Sequence, residues 1–206
     1  MQKTWDDFFF EKAKKILGMG GRIIDVGSGL RILSGKGNRY DDQRAAILGP
    51  LLAGVDYQIM DPVPDYGPDI IGDIQSLPFR DGEVGGFFCL AVLEHVPNPF
   101  LAMSEIYRTL RPGGSCLVYV PFLFYYHAEP GYYHDYWRFS EDGIRRLCGQ
   151  FSQIEICPVR GPVATWLHLS PFGRLGWIKW LGDGVDWLFK KPQSKQVSGY
   201  YVFLLK

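Results

Sequence analysis

The chain has 206 residues, enough for a full core in one domain with some embellishment. Lys+Arg and Asp+Glu both number 22, and the resulting zero net charge argues against a general affinity for nucleic-acid backbones. The cysteines Cys89, Cys116, Cys148 and Cys157 show no Cys-x-x-Cys spacing. No apolar run has membrane-spanning length, and no charged-then-apolar leader opens the sequence, so a cytoplasmic protein with buried free thiols is the expectation.

Residues 3–17 carry Trp5, Phe8, Phe9 and Ile16 on one helical face, which suits a helix covering a sheet edge or a flap over a ligand. The run Ile23-Ile24-Asp25-Val26-Gly27-Ser28-Gly29 then reads as a buried parallel strand stopping at a tight turn, where glycines permit left-handed angles and close approach to a ligand. A polar loop, Ser34 to Arg39, separates this turn from a helix expected over Asp41 to Ala53, with Asp41 or Asp42 as its cap. Val55 to Met60 is the second strand and ends at Asp61-Pro62. A carboxylate there can accept from both ribose hydroxyls of a nucleotide-like ligand held at the first turn.

Asp69 to Gly72 forms a short third strand, followed by Asp73-Ile74, and Gly86 to Leu90 a buried fourth strand. Asn98-Pro99 is a strong helix start, with Phe100, Met103, Tyr107 and Leu110 marking one face and Arg108 and Arg111 at the last turn. Pro112-Gly113-Gly114 stops that helix before a fifth strand at Cys116 to Val120. A sixth strand is expected at Gln153 to Cys157 and a last, antiparallel one at Tyr200 to Leu205. The alternation predicts an α/β fold with a doubly wound, mostly parallel seven-stranded sheet.

Dinucleotide and triphosphate readings fail: Gly27-Ser28-Gly29-Leu30-Arg31-Ile32 lacks the third glycine of Gly-x-Gly-x-x-Gly, and no Gly-Lys-Ser/Thr follows. Instead the ordered set Ile24 to Gly29, Asp61, Gly72-Asp73-Ile74 with Leu77-Pro78-Phe79, Val92-Leu93-Glu94-His95-Val96 and Leu110 to Gly114 resembles the class I S-adenosylmethionine-dependent methyltransferases of the type 11 group. The resemblance covers residues 20–150 and implies a Rossmann-like fold with S-adenosyl-L-methionine as cofactor. It implies that Asp25, Gly27, Ser28 and Gly29 cradle the methionine end, that Asp61 binds the ribose, and that Asp73 and Ile74 meet the adenine beside the strand end at Leu90. The sequence departs from the family in the missing third glycine, in the loop that replaces an immediate helix, and in Gly85-Gly86 where the family often has Asp.

After the fifth strand, Pro121-Phe122-Leu123, His127 and His134-Asp135-Tyr136-Trp137-Arg138-Phe139-Ser140 resemble a subgroup with a His…Asp-Tyr-Trp-Arg-Phe stretch. That likeness points loosely to glycan chemistry, and the expected activity is methylation of a small-molecule or glycan-type acceptor at oxygen. A hydroxyl acceptor needs a base within reach, and His127, His134 and Asp135 are the candidates; Asp135 could instead order the loop through Arg138. No ligand spacing predicts a metal. Trp177, Trp180, Leu181, Gly184, Trp187 and Leu188 fall on one helical stripe with Lys179, Lys190 and Lys191 nearby, making an aromatic-rich C-terminal embellishment over residues 161–206 of a single domain. A membrane surface would suit these residues, but Asp183 and Asp186 oppose anionic lipid, so a lid or core packing is expected. His168 is expected to be a packed histidine. The alternative to an enzyme is a non-catalytic binding module that keeps the cofactor fold.

Overall fold

The computed structural model describes residues 4–37, 39–171, 182–186, 188 and 194–206. Among them seven strands form one sheet: β1 (Arg22–Val26), β2 (Asp56–Asp61), β3 (Ile70–Ile71), β4 (Val84–Leu90), β5 (Leu110–Pro121), β6 (Gln153–Val159) and β7 (Gly199–Leu205). Their spatial order is β3-β2-β1-β4-β5-β7-β6. β1 to β5 pair in parallel, whereas β7 runs antiparallel to both β5 and β6. Strand order reverses between β1 and β4, and in open sheets of this kind the crevice at that reversal, outside the carboxyl ends, is where ligands bind. Every residue of β4 is buried, as a strand covered on both faces must be. The last strand lies inside the sheet, and Val202, Phe203 and Leu204 are fully buried there.

Helix α1 (Trp5–Leu17) starts at a capping box: the Thr4 hydroxyl accepts from the Asp7 N–H, and the Asp7 carboxylate accepts from the Thr4 N–H. It packs across the face of β4 to β7, burying Phe8, Phe9, Ala13, Ile16 and Leu17. Lys12 is drawn into that interface, where its ammonium lies 2.7 Å from Glu155 and 4.7 Å from the centre of the Phe203 ring. Gly86, one of the glycines where an acid was the family habit, makes the close approach possible: a Cβ there would meet Ile16 Cγ2 at 2.6 Å and Ile23 Cδ1 at 3.1 Å. Gly86→Ala is expected to lower the free energy of unfolding by about 1–3 kcal/mol through overpacking, measurable by urea denaturation.

Helix α2 (Asp42–Leu48) is capped by Asp41, whose carboxylate accepts from the Arg44 N–H. It ends earlier than the sequence pattern suggests and continues as a 3-10 turn over Gly49–Leu52. Pro50 has no N–H to donate and its ring crowds the preceding turn. Helix α3 (Pro99–Thr109) starts at Asn98 as expected, but its buried stripe is Ala102, Met103, Ile106 and Thr109. Phe100, assigned to the inner face from the pattern, is 54% exposed, and Leu110 and Arg111 already belong to β5.

Helices α4 (Glu141–Leu147) and α5 (Pro162–Leu169) follow, the first capped by the Ser140 hydroxyl. α5 has no capping side chain of its own. Asp186 supplies one from a distance, its carboxylate accepting from the Val163 and Ala164 N–H groups. Asp186 is therefore buried and structural, not a surface charge set against lipid. Of the expected C-terminal stripe, Trp177, Trp180, Leu181 and Trp187, together with Lys179, Lys190 and Lys191, lie outside the described residues, while Leu188 is exposed. No helix among the described residues is long and apolar enough to cross a membrane.

Candidate active site

The turn after β1 is built around Asp25. This side chain is fully buried, and its carboxylate accepts from the Gly29 N–H at 2.9 Å, the Leu30 N–H at 3.0 Å and the Tyr57 hydroxyl at 2.6 Å. Burial pushes its pKa up to about 6, against the opposing pull of those donors. Three donors on its two oxygens thus shape the turn. Arg44 on α2 props the same turn from outside, donating to the Gly29 carbonyl at 3.2 Å with its guanidinium over the Phe9 ring. Gly27 takes φ +72°, and a Cβ there would lie 2.9 Å from Val92 Cγ2, at the end of β4. Gly29 sits directly on Leu90, where a Cβ would come within 2.6 Å of the Leu90 Cβ.

The second carboxylate stands on the same rim. The Gly27 N–H donates to the Met60 carbonyl at 2.8 Å, which places Asp61 immediately beside the glycine turn. One Asp61 oxygen accepts from the Val63 N–H, and partial burial raises the pKa of the group. Beyond β3, Asp73 is exposed and accepts from the Gln75 N–H and side-chain amide, while Ile74 is buried in the core. The polar loop after the turn folds back as a strap: Ser28 is covered by it with its hydroxyl 3.4 Å from the Lys36 carbonyl, the Gly37 N–H donates to Tyr66 O, and Lys36 pairs with Asp69.

The segment after β5 forms a roof from the end of β4 to the end of β2. Tyr132 stacks on Tyr66 with ring centres 5.4 Å apart, and Tyr133 lies 4.5 Å from the His95 ring. Arg138 ties the segment together. It binds the Asp135 carboxylate through two N–H groups at 2.5 and 2.7 Å and donates to the carbonyls of Tyr125 and Trp137 at 2.7 Å. That pairing holds the Asp135 pKa down at about 2. Asp135 also accepts from the His127 N–H at 2.8 Å, so it orders the loop under the roof. The Tyr136 and Trp137 N–H groups clamp the Glu94 carbonyl, and the Trp137 indole donates to Val96 O.

Under this roof His127 and His95 converge on Glu94. The His127 Nε2 lies 3.8 Å and the His95 Nε2 3.9 Å from the same Glu94 oxygen. The Glu94 carboxylate raises the His127 pKa above the usual imidazole value. His134, expected as a possible base, is exposed and packs against Tyr136, and its carbonyl accepts from His95 Nδ1 at 2.5 Å. His168 packs 5.6 Å from the Phe124 ring. The fold thus brings together Gly27, Ser28, Gly29, Asp61 and Leu90, and separately His127 with Asp135, but leaves the His134 ring outside. The sequence places Glu94 and His95 either along the same crevice as His127 or as caps of the following turn; their convergence with His127 on one point comes only from the roof. Tyr57 was missed; a tyrosine two residues into an apolar strand beside the acid was its only signal.

Residues 59–118 match the methyltransferase domain family of type 11. A sterol 4-C-methyltransferase of Caenorhabditis elegans is 36% identical over 50 residues, covering 24% of this chain and 15% of that protein. The chain spans 15% of the length of the curated relatives it matches. Among solved structures, a SAM dependent methyltransferase from Archaeoglobus fulgidus superposes with a TM-score of 0.57 at 10% identity, over 97% of this chain and 94% of that one. The 1,6-didemethyltoxoflavin-N1-methyltransferase of Burkholderia thailandensis, solved with 1,6-didemethyltoxoflavin and S-adenosylhomocysteine, gives 0.54 at 15% identity, over 96% and 77%. The chain therefore has the fold of class I S-adenosylmethionine-dependent methyltransferases, and its residues 59–118 are similar to the methyltransferase domain of type 11.

Proposed function

We propose that the chain is an S-adenosylmethionine-dependent methyltransferase acting on a small-molecule or glycan-type acceptor, with oxygen as the accepting atom. One observation carries the reading: the glycine turn and the Asp61 carboxylate share a rim at the carboxyl ends of β1 and β2, where a side chain on Gly27 would intrude. Gly27, Ser28 and Gly29 hold the methionine end, with Asp25 as the positioning residue behind them. Asp61 accepts from the ribose hydroxyls, Asp73 and the Ile74 N–H take the adenine edge, and Leu90 walls the turn. When bound, the cofactor supplies an electrophilic methyl group on a sulfonium, so the chain's own share is alignment, exclusion of water and handling of the acceptor's proton. We assign the acceptor to the space under the roof, next to His127, with Asp135 as a positioning residue. The toxoflavin-type substrate of the Burkholderia enzyme, seen bound on the same fold, supports a small acceptor.

Calorimetry with S-adenosylhomocysteine tests the reading. One site per chain is expected, and Asp61→Ala should weaken it about 10–100-fold, the equivalent of losing charge-assisted hydrogen bonds worth about 1.5–3 kcal/mol. A folded wild-type chain that binds no S-adenosylhomocysteine would favour the second reading, a non-catalytic module, which the strap over Ser28 also suits.

A further inference from the structure

We propose that Glu94, His95 and His127 form a binding site for a divalent first-row transition-metal cation at the acceptor end of the crevice. The inference rests on the reading of that space as the acceptor pocket and adds how the acceptor is held there. Three observations converge. The first is proximity: one donor atom from each of the three side chains lies within 4.8 Å of the other two. Donors bonded to a common ion at about 2.0–2.2 Å stand roughly 3.3–3.7 Å apart, so the separations of 3.8 and 3.9 Å close with a small rotation of either ring.

The second is the state of Glu94. It is 1% exposed, and neither of its carboxylate oxygens has a hydrogen-bond partner. A buried carboxylate without donors is costly, and such a group in a native fold calls for a missing cation or water. Arg138, the guanidinium of the roof, is engaged with Asp135 and three main-chain carbonyls, and none of its hydrogen bonds reaches Glu94.

The third is the orientation of the imidazoles. His95 Nδ1 lies 2.5 Å from the His134 carbonyl, and His127 Nδ1 lies 3.1 Å from the Tyr125 carbonyl and 3.2 Å from an Asp135 oxygen. Because those neighbours only accept, each Nδ1 carries a proton, which leaves each Nε2, facing Glu94, as the nitrogen that can give its lone pair to a cation in exchange for a proton. Carbonyl and carboxylate acceptors behind the far nitrogen are the usual outer support of metal-bound histidines. Two imidazoles and one carboxylate make a mixed N/O set suited to zinc, iron, manganese or cobalt ions, and three protein ligands leave coordination positions open. Those positions suit an acceptor presenting an oxygen, preferably two adjacent ones that chelate. Part of each imidazole reaches solvent, which gives the ion and the acceptor a way in.

Titration of the chelator-stripped full chain with Co²⁺, followed by visible absorption and competed with Zn²⁺, tests the site. One ion per chain is expected. Glu94→Gln and His127→Ala should each weaken binding by more than about 100-fold, since even an outer-support residue accounts for about 10–100-fold. His127→Cys, which keeps a donor, should restore binding and add a sulfur-to-cobalt charge-transfer band. This rescue separates a lost ligand from a misfolded variant. S-adenosylhomocysteine affinity, measured on the same samples, should stay within a few-fold in all three variants. Absence of a Co²⁺ site in the wild type, or a site indifferent to these substitutions, overturns the proposal and leaves the methyltransferase reading standing. A metal site without S-adenosylhomocysteine binding overturns that reading and keeps the metal.

Discussion

Asp25→Asn will weaken S-adenosylhomocysteine binding by about tenfold or more and remove a pH-dependent segment from the stability curve. The amide can replace only one of the two carboxylate oxygens as an acceptor, so either the Gly29 or the Leu30 N–H loses its partner and the turn opens. The pH effect has a definite sign. Asp25 has a folded pKa of about 6, above its ordinary 3.8, so the native state holds this proton more tightly than the unfolded chain does. Its contribution to stability is complete below the ordinary value and is lost as pH rises through about 6, a change of about 3 kcal/mol. Denaturant unfolding of wild type and Asp25→Asn at about pH 4.5 and pH 8 isolates the group. The penalty of the substitution should be larger at the acid end. An equal or smaller penalty there would show that the carboxylate is not the strained centre of the turn.

Arg138→Ala will destabilise the chain by about 3 kcal/mol and loosen the roof, because it strands the Asp135 carboxylate, whose side chain has no exposed surface. Asp135 has its pKa held down at about 2 by this partner, so the sign here is the reverse of Asp25. The stabilisation is complete above the ordinary carboxylate value and is lost as pH falls toward about 2. The deficit of the variant should therefore be full at neutral pH and shrink on acidification. Arg138→Lys should recover little, since an ammonium cannot make the two-pronged contact and reach the carbonyls of Tyr125 and Trp137 as well. Limited proteolysis should show new cleavage within residues 122–139, with S-adenosylhomocysteine affinity changed no more than a few-fold.

Much of the fold was legible because its signals are local. A strand broken by glycines, Asn98 before Pro99, and an acid ending the second strand each announce themselves within a few residues. What failed to show depends on partners distant in sequence. Phe100 sits on the periodic face of its helix, yet the sheet takes the stripe through Ala102 and Met103 instead. Asp186 looks like a surface charge until α5 is found to need a cap. Asp25 shapes the turn with help from a hydroxyl on the neighbouring strand that no spacing rule connects to it. His134 and His127 look equivalent along the chain. Only the roof, pinned by Arg138 and Tyr132, puts one ring inside and the other out.

The seating of β7 between β5 and β6 also orders events during synthesis. A ribosome makes β5 and β6 well before residues 199–205, so β5 waits with one edge bare and β6, whose one partner in the sheet is β7, with both, while α5 and the segment after it are still emerging. Until the final strand slides between them, the nascent chain carries two open templates for pairing with a neighbour. Overexpression at high temperature should therefore favour inclusion bodies, and slowing translation or supplying a holdase should raise the yield of native chains.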